Sequence, residues 1–77
     1  MAILVYFARI GEEAGGVVYR CGFGDAPERF RMVIDADSGD LREAAPEAGH
    51  AVRCAHSKIM RELRRTGTWP ARGSYCA

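Results

Sequence analysis

The chain has 77 residues, 48% of them hydrophobic and 27% charged, and a formal net charge of +1. That length leaves room for one domain and that apolar share excludes a disordered chain, so the expectation is a small globular fold. The near-neutral total hides a division: from Met1 to Gly49 five arginines stand against nine acids, a balance of −4, and from His50 to Ala77 six bases stand against Glu62 alone, a balance of +5.

Ala2 to Ile10 is a continuous apolar run rich in β-branched and aromatic residues and bounded by Gly11, which predicts a strand with apolar groups on both faces. Gly11 to Gly16 predicts a turn with Glu12 and Glu13 at its tip. Val17 to Phe23 alternates as a second strand does, and Gly24-Asp25-Ala26-Pro27 breaks it. Glu28 to Asp35 is the clearest strand, with Phe30, Met32 and Ile34 on one side and Arg29, Arg31 and Val33 on the other. Asp37-Ser38-Gly39-Asp40 turns the chain, and Leu41 to Glu43 suits a short fourth strand. Short connections favour an antiparallel meander.

Pro46 fits a first helical position and Gly67 the residue just past a helix end. Between them Ala48, Val52, Ala55, Ile59, Leu63 and Thr66 share a stripe at helical spacing, widened by His56 and Met60. Arg53, Lys58, Arg61, Arg64 and Arg65 spread over the opposite face. Trp69 and Pro70 look like a stop, with the indole folded back onto the core edge. The fold expected is therefore α+β: a three-stranded antiparallel meander, with a short fourth strand allowed, packed on one C-terminal helix. Residues 1–70 would make the single domain and 71–77 a flexible tail.

One helix covers only one sheet face. Ile3, Val5, Phe7, Val17, Tyr19, Cys21, Phe23, Phe30, Met32 and Ile34 would face it, leaving Leu4, Tyr6, Ala8, Val18, Arg20, Arg29, Arg31 and Val33 on an outer face. A face mixing apolar groups with three arginines calls for a partner. A domain of this size is also marginal in stability, which favours burial of that face.

The longest apolar run is far too short to span a bilayer, and no basic residues precede it as in a secretory leader. Three cysteines at irregular spacing (Cys21, Cys54, Cys76) make no disulfide framework, so a cytoplasmic setting without membrane contact is expected. The abundance of Arg, Ala and Gly beside a single Lys indicates a GC-rich coding sequence.

Chemistry-bearing motifs are sparse. An EF-hand loop starting at Asp35 would need Gly at its sixth position and Glu at its twelfth; those positions hold Asp40 and Pro46, and the segment reads as a polar turn. His50 and Cys54 share a helix face, but a zinc site needs four ligands and the paired Cys-x-x-Cys spacing is absent. Cys54, flanked by His50 and Lys58 one turn away on either side, is a candidate reactive thiol, because both neighbours favour a thiolate. No Ser/His/Asp or Cys/His catalytic grouping can be placed, and nothing calls for a cofactor.

The expectation is a non-catalytic binding module that meets a protein partner, or a second copy, through the outer sheet face. Tyr6, Arg20, Arg29 and Arg31 are the residues expected to carry it, since Tyr and Arg are enriched at interfaces. The alternative is nucleic-acid binding, through the helix cations Arg53, Lys58, Arg61, Arg64 and Arg65 or through bases stacked on the Tyr/Arg sheet face.

Overall fold

The computed structural model describes residues 4–76. Ala2 and Ile3 of the expected first strand lie outside the described residues, as do the side chains of Ala48 and Cys76. The chain forms β1 (Leu4–Glu13), β2 (Gly16–Phe23), β3 (Phe30–Asp35), β4 (Leu41–Ala44), a 3-10 turn (Pro46–Ala48), α1 (Gly49–Thr66) and β5 (Arg72–Cys76). All strand pairs are antiparallel and the sheet order is β4-β3-β2-β1-β5. The architecture is α+β, one five-stranded sheet with one helix on it. Residues β1 to β4 run as a meander; α1 then carries the chain back across the sheet, and β5 pairs with the open edge of β1.

Two features depart from the meander expected. Arg72–Cys76, expected as a loose tail, is an edge strand whose register sets Val5 opposite Tyr75 and Phe7 opposite Gly73. The segment RGSYC has too little alternation to announce a strand; β1 supplies the template. Gly73 matters here, because a Cβ at that position would sit 2.7 Å from Phe7 Cζ. The second departure is the first hairpin. β1 runs past Gly11 to Glu13, and the reversal is confined to Ala14 and Gly15 at φ 48° and 76°. Two consecutive positive φ values mark the type I′ turn, whose twist matches a right-handed hairpin. Ile10 is the extra residue of a bulge between Arg9, opposite Tyr19, and Gly11, opposite Val18.

The helix follows its pattern closely. Pro46 opens a 3-10 turn instead of the α-helix itself, and α1 begins at Gly49. Gly67 follows the last turn, its N–H donating to the Leu63 carbonyl at 2.7 Å. Ala51, Val52, Ala55 and Ile59 are buried against Val5, Phe7, Val17, Tyr19, Cys21, Phe30, Met32 and Ile34 of the sheet. Leu63 is half-buried and Thr66 is exposed, so the stripe loses contact toward the helix end. Phe23, Met60 and Trp69 pack at the margin of this core. His56 Nε2 donates to the Gly39 carbonyl at 2.8 Å, tying α1 to the β3–β4 turn.

The core's polar anchor is Tyr19. It is wholly buried, meets the Phe7 ring edge-on at 5.9 Å, and donates its hydroxyl to the Pro70 carbonyl at 2.6 Å. This bond holds the connector that follows Trp69 and so fixes where the chain re-enters the sheet as β5. Burial pushes the Tyr19 phenol up to about 12, with Arg9 offsetting part of the rise. Burial likewise pushes the Cys21 thiol up to about 11.

Candidate functional site

The side of the sheet away from α1 is set by strand alternation. Leu4, Tyr6 and Ala8 of β1, Val18 and Arg20 of β2, and Arg31 and Val33 of β3 project there. Its two halves differ in kind.

Over β2 and β3 the face is closed by ion pairs. Arg31 holds Glu43 of β4 at 2.7 Å with one nitrogen and Glu13 of β1 at 2.6 Å with the other. A guanidinium that starts on β3 and meets carboxylates on both β1 and β4 must lie along the sheet surface. These two carboxylates raise the Arg31 pKa, the Glu13 hydrogen bond contributing most. Arg42 joins the lattice from β4. It donates to the Ala14 carbonyl at 2.9 Å and pairs with Asp35 at 2.7 Å, and its guanidinium lies beside Val33 over Gly16. Val18 and Val33 are only 4% and 1% exposed although no helix covers this side. Arginine stems laid on the surface account for that burial. Asp35 accepts from Arg42 and from the backbone N–H groups of Ser38 and Asp37, which hold its carboxyl well below the usual carboxylate range.

Over β1 and β5 the same face is open. Leu4 and Tyr6 are 40% and 36% exposed there; with Ile10 of the β1 bulge, 50% exposed, they are the large exposed hydrophobic side chains among the described residues. A shallow groove of about 390 Å³ runs beside Tyr6 and Ala8, with Pro27 and Glu28 on one wall and Arg72 and Ser74 on the other. Arg20 is half-buried and donates to the Glu28 carbonyl at 3.3 Å.

Arg29 is corrected by the structure. Alternation from Phe30 assigns it to the outer face, but β3 begins only at Phe30, and Arg29 lies in the loop before it. Its guanidinium sits 5.2 Å above the Phe30 ring, in a depression shared with Phe23 and Glu47. Arg42 and Arg72 take places on the outer face that sequence reasoning did not assign. Arg42 was readable from the short fourth strand; Arg72 was not, because its strand had no signal of its own.

On α1 the expected cations separate into two sets. Glu62 pairs with Lys58 at 3.0 Å and with Arg65, and these hydrogen bonds lower its pKa. Arg53, Arg61 and Arg64 are exposed, and among the described residues none of them has a carboxylate within ion-pair distance. Arg61 lies 5.8 Å from the centre of the Tyr75 ring of β5.

Cys54 is half-buried, and its sulfur lies 3.6 Å from His50 Nε2, the neighbour expected one turn before it. Lys58, the other neighbour expected, pairs with Glu62 at 3.0 Å and makes no hydrogen bond to the thiol. Cys21 lies wholly in the core. Among the described residues no group of three or more His, Cys, Asp or Glu side chains converges as metal ligands would, and no helix is long and apolar enough to cross a membrane. No family model, no curated protein and no solved structure matches the chain.

Proposed function

We propose that this protein is a non-catalytic binding module whose outer sheet face closes on a protein surface, with a second copy as the occupant that the face fits best. One observation carries the reading: Leu4 and Tyr6 of β1 expose large apolar side chains on this face, Tyr6 lining the groove, while the rest of the face is already sealed by ion pairs. Unburied apolar surface gathered in one place is what an interface core needs.

The charge on this face favours a like partner over a polyanion. Arg31 and Arg42 are engaged by Glu13, Glu43 and Asp35, and the groove carries one cation and one anion, Arg72 and Glu28, on opposite walls. A two-fold axis lying in the interface parallel to β1 would set Arg72 of each copy against Glu28 of the other, an isologous arrangement. Bases stacked on Tyr6 would find Arg31 already occupied, which makes the sheet the weaker nucleic-acid surface.

Sedimentation equilibrium over a wide concentration range tests the reading. The expected result is a dimer that Tyr6→Asp converts to a monomer with an unchanged far-UV spectrum. A wild-type chain that stays monomeric at millimolar concentration would reject the second copy as occupant.

A further inference from the structure

We infer that the solvent-facing ridge of α1, built from Arg53, Arg61 and Arg64, is a sequence-independent binding site for the phosphate backbone of duplex nucleic acid. The ridge lies on the opposite side of the sheet from Tyr6, so it stands or falls separately from the dimer.

At about 100° per residue, Arg53, Arg61 and Arg64 fall in one sector of the helix pointing away from Val52, Ala55 and Ile59. His50 and Ser57, both exposed, fall in the same sector. From Arg53 to Arg64 the row spans roughly 16 Å along a straight axis. The acid of this helix is not in the row. Glu62 is turned toward the sheet side, its side chain 19% exposed, and is consumed by Lys58 and Arg65. The tethered cations therefore flank the ridge, and the unneutralised ones form it. Asp37 and Asp40 of the β3–β4 turn make no ion pair with it.

The composition of the ridge decides the class of partner. A protein interface has an apolar or aromatic centre, and a membrane-surface helix buries Leu, Phe or Trp in the lipid boundary. The helix positions of this sector are all polar, because the apolar residues of α1 are spent on the core; among the described residues the one aromatic ring beside it is Tyr75 of β5, under Arg61 at the margin of the ridge. A surface recognised by charge and hydrogen bonding alone matches the nucleic-acid backbone, whose binding free energy comes mainly from released counterions. Arginine supplies a planar fork of donors that fits phosphate oxygens two at a time, and Ser57 and His50 add further hydrogen-bonding groups beside it.

Three phosphate contacts give a slope of about −2.7 in log affinity against log salt, so raising salt from about 50 to about 200 mM should weaken binding about 40-fold. The experiment is anisotropy of a labelled duplex of about 20 base pairs, titrated with the full chain at both salt concentrations. In Arg53→Gln/Arg64→Gln, glutamine keeps the helix, and the same salt step should cost only about 3- to 4-fold. Arg20→Gln, on the other face, should leave the duplex affinity within about twofold. No binding at the lower salt overturns the inference. So does a salt slope unchanged in the double variant, or equal binding to polyglutamate or to phosphatidylserine vesicles.

Discussion

Replacing Tyr19 with Phe removes one oxygen from the centre of the molecule and tests how the last strand is held. The hydroxyl is wholly buried and donates to the Pro70 carbonyl at 2.6 Å. Pro70 itself is only half-buried, so its carbonyl can turn to water and the loss is that of one neutral hydrogen bond, about 1 kcal/mol. In a domain of this length that lowers Tm by about 4–8 °C. The pH dependence is the sharper part. The fold holds the phenol neutral and raises its pKa from 10.0 to about 12. Its contribution is therefore complete below pH 10 and is lost as pH rises toward the folded-state value. At 1.36 kcal/mol per unit, the wild type loses up to about 3 kcal/mol across that window and Tyr19→Phe does not. The wild type is the more stable at neutral pH, and the two stability curves cross at about pH 11. Cys21, whose thiol rises from 9.0 to about 11, erodes both proteins alike from pH 9 upward and cancels in the difference. Urea titrations followed by Trp69, the single tryptophan, measure this directly. A stability difference that stays constant from pH 7 to pH 11 would refute the argument that burial of this hydroxyl governs both effects.

Gly73→Ala places a Cβ 2.7 Å from the Phe7 ring, and overpacking of this kind costs about 1–3 kcal/mol. Faster hydrogen exchange at the amides of β5 and of its β1 partners, with β2 and β3 protected, is the expected signature; a uniform change would mean β5 is not separately docked. Ala14→Asn should stabilise the fold by about 0.5–1 kcal/mol in a melt, because a non-glycine residue at φ 48° is strained and Asn tolerates that region better. Arg42→Gln frees Asp35 from its main hydrogen bond. Because the Asp35 pKa is lowered in the fold, its contribution is present above its ordinary 3.8 and is lost on acidification. The variant should therefore show a shallower fall in stability below pH 4, read by urea titration at pH 3 and pH 6. Thiol alkylation should label Cys54 ahead of Cys21, since the first is half-buried and the second lies in the core; labelling of Cys21 without unfolding would contradict the packing described.

Much of this architecture is local and was legible in the residues. Alternation through Phe30, Met32 and Ile34 marks a strand whose inner face is buried, and the spacing of Val52, Ala55 and Ile59 marks the helix and its buried side. Gly67 ends that helix because its backbone preference needs no distant neighbour, while Pro46 marks the 3-10 turn that leads into it and not the first helical residue. That Tyr6 and Arg31 share an outer face also follows from alternation alone, whereas which part of that face is open does not.

What alternation cannot carry is contact between residues far apart in the chain. Arg31 reads as a free cation until folding brings Glu13 and Glu43 to it, 18 and 12 residues away. Arg29 reads as a strand residue until β3 begins one position later. RGSYC has no pattern that makes it a strand; it becomes one because β1 offers an unpaired edge, Gly73 leaves room for Phe7, and Tyr19 fastens Pro70. By itself the sequence determined the layers, because burial periodicity is a local property. Only the tertiary structure decided which charges remain free to meet a partner, because an ion pair depends on distances that the chain order does not encode.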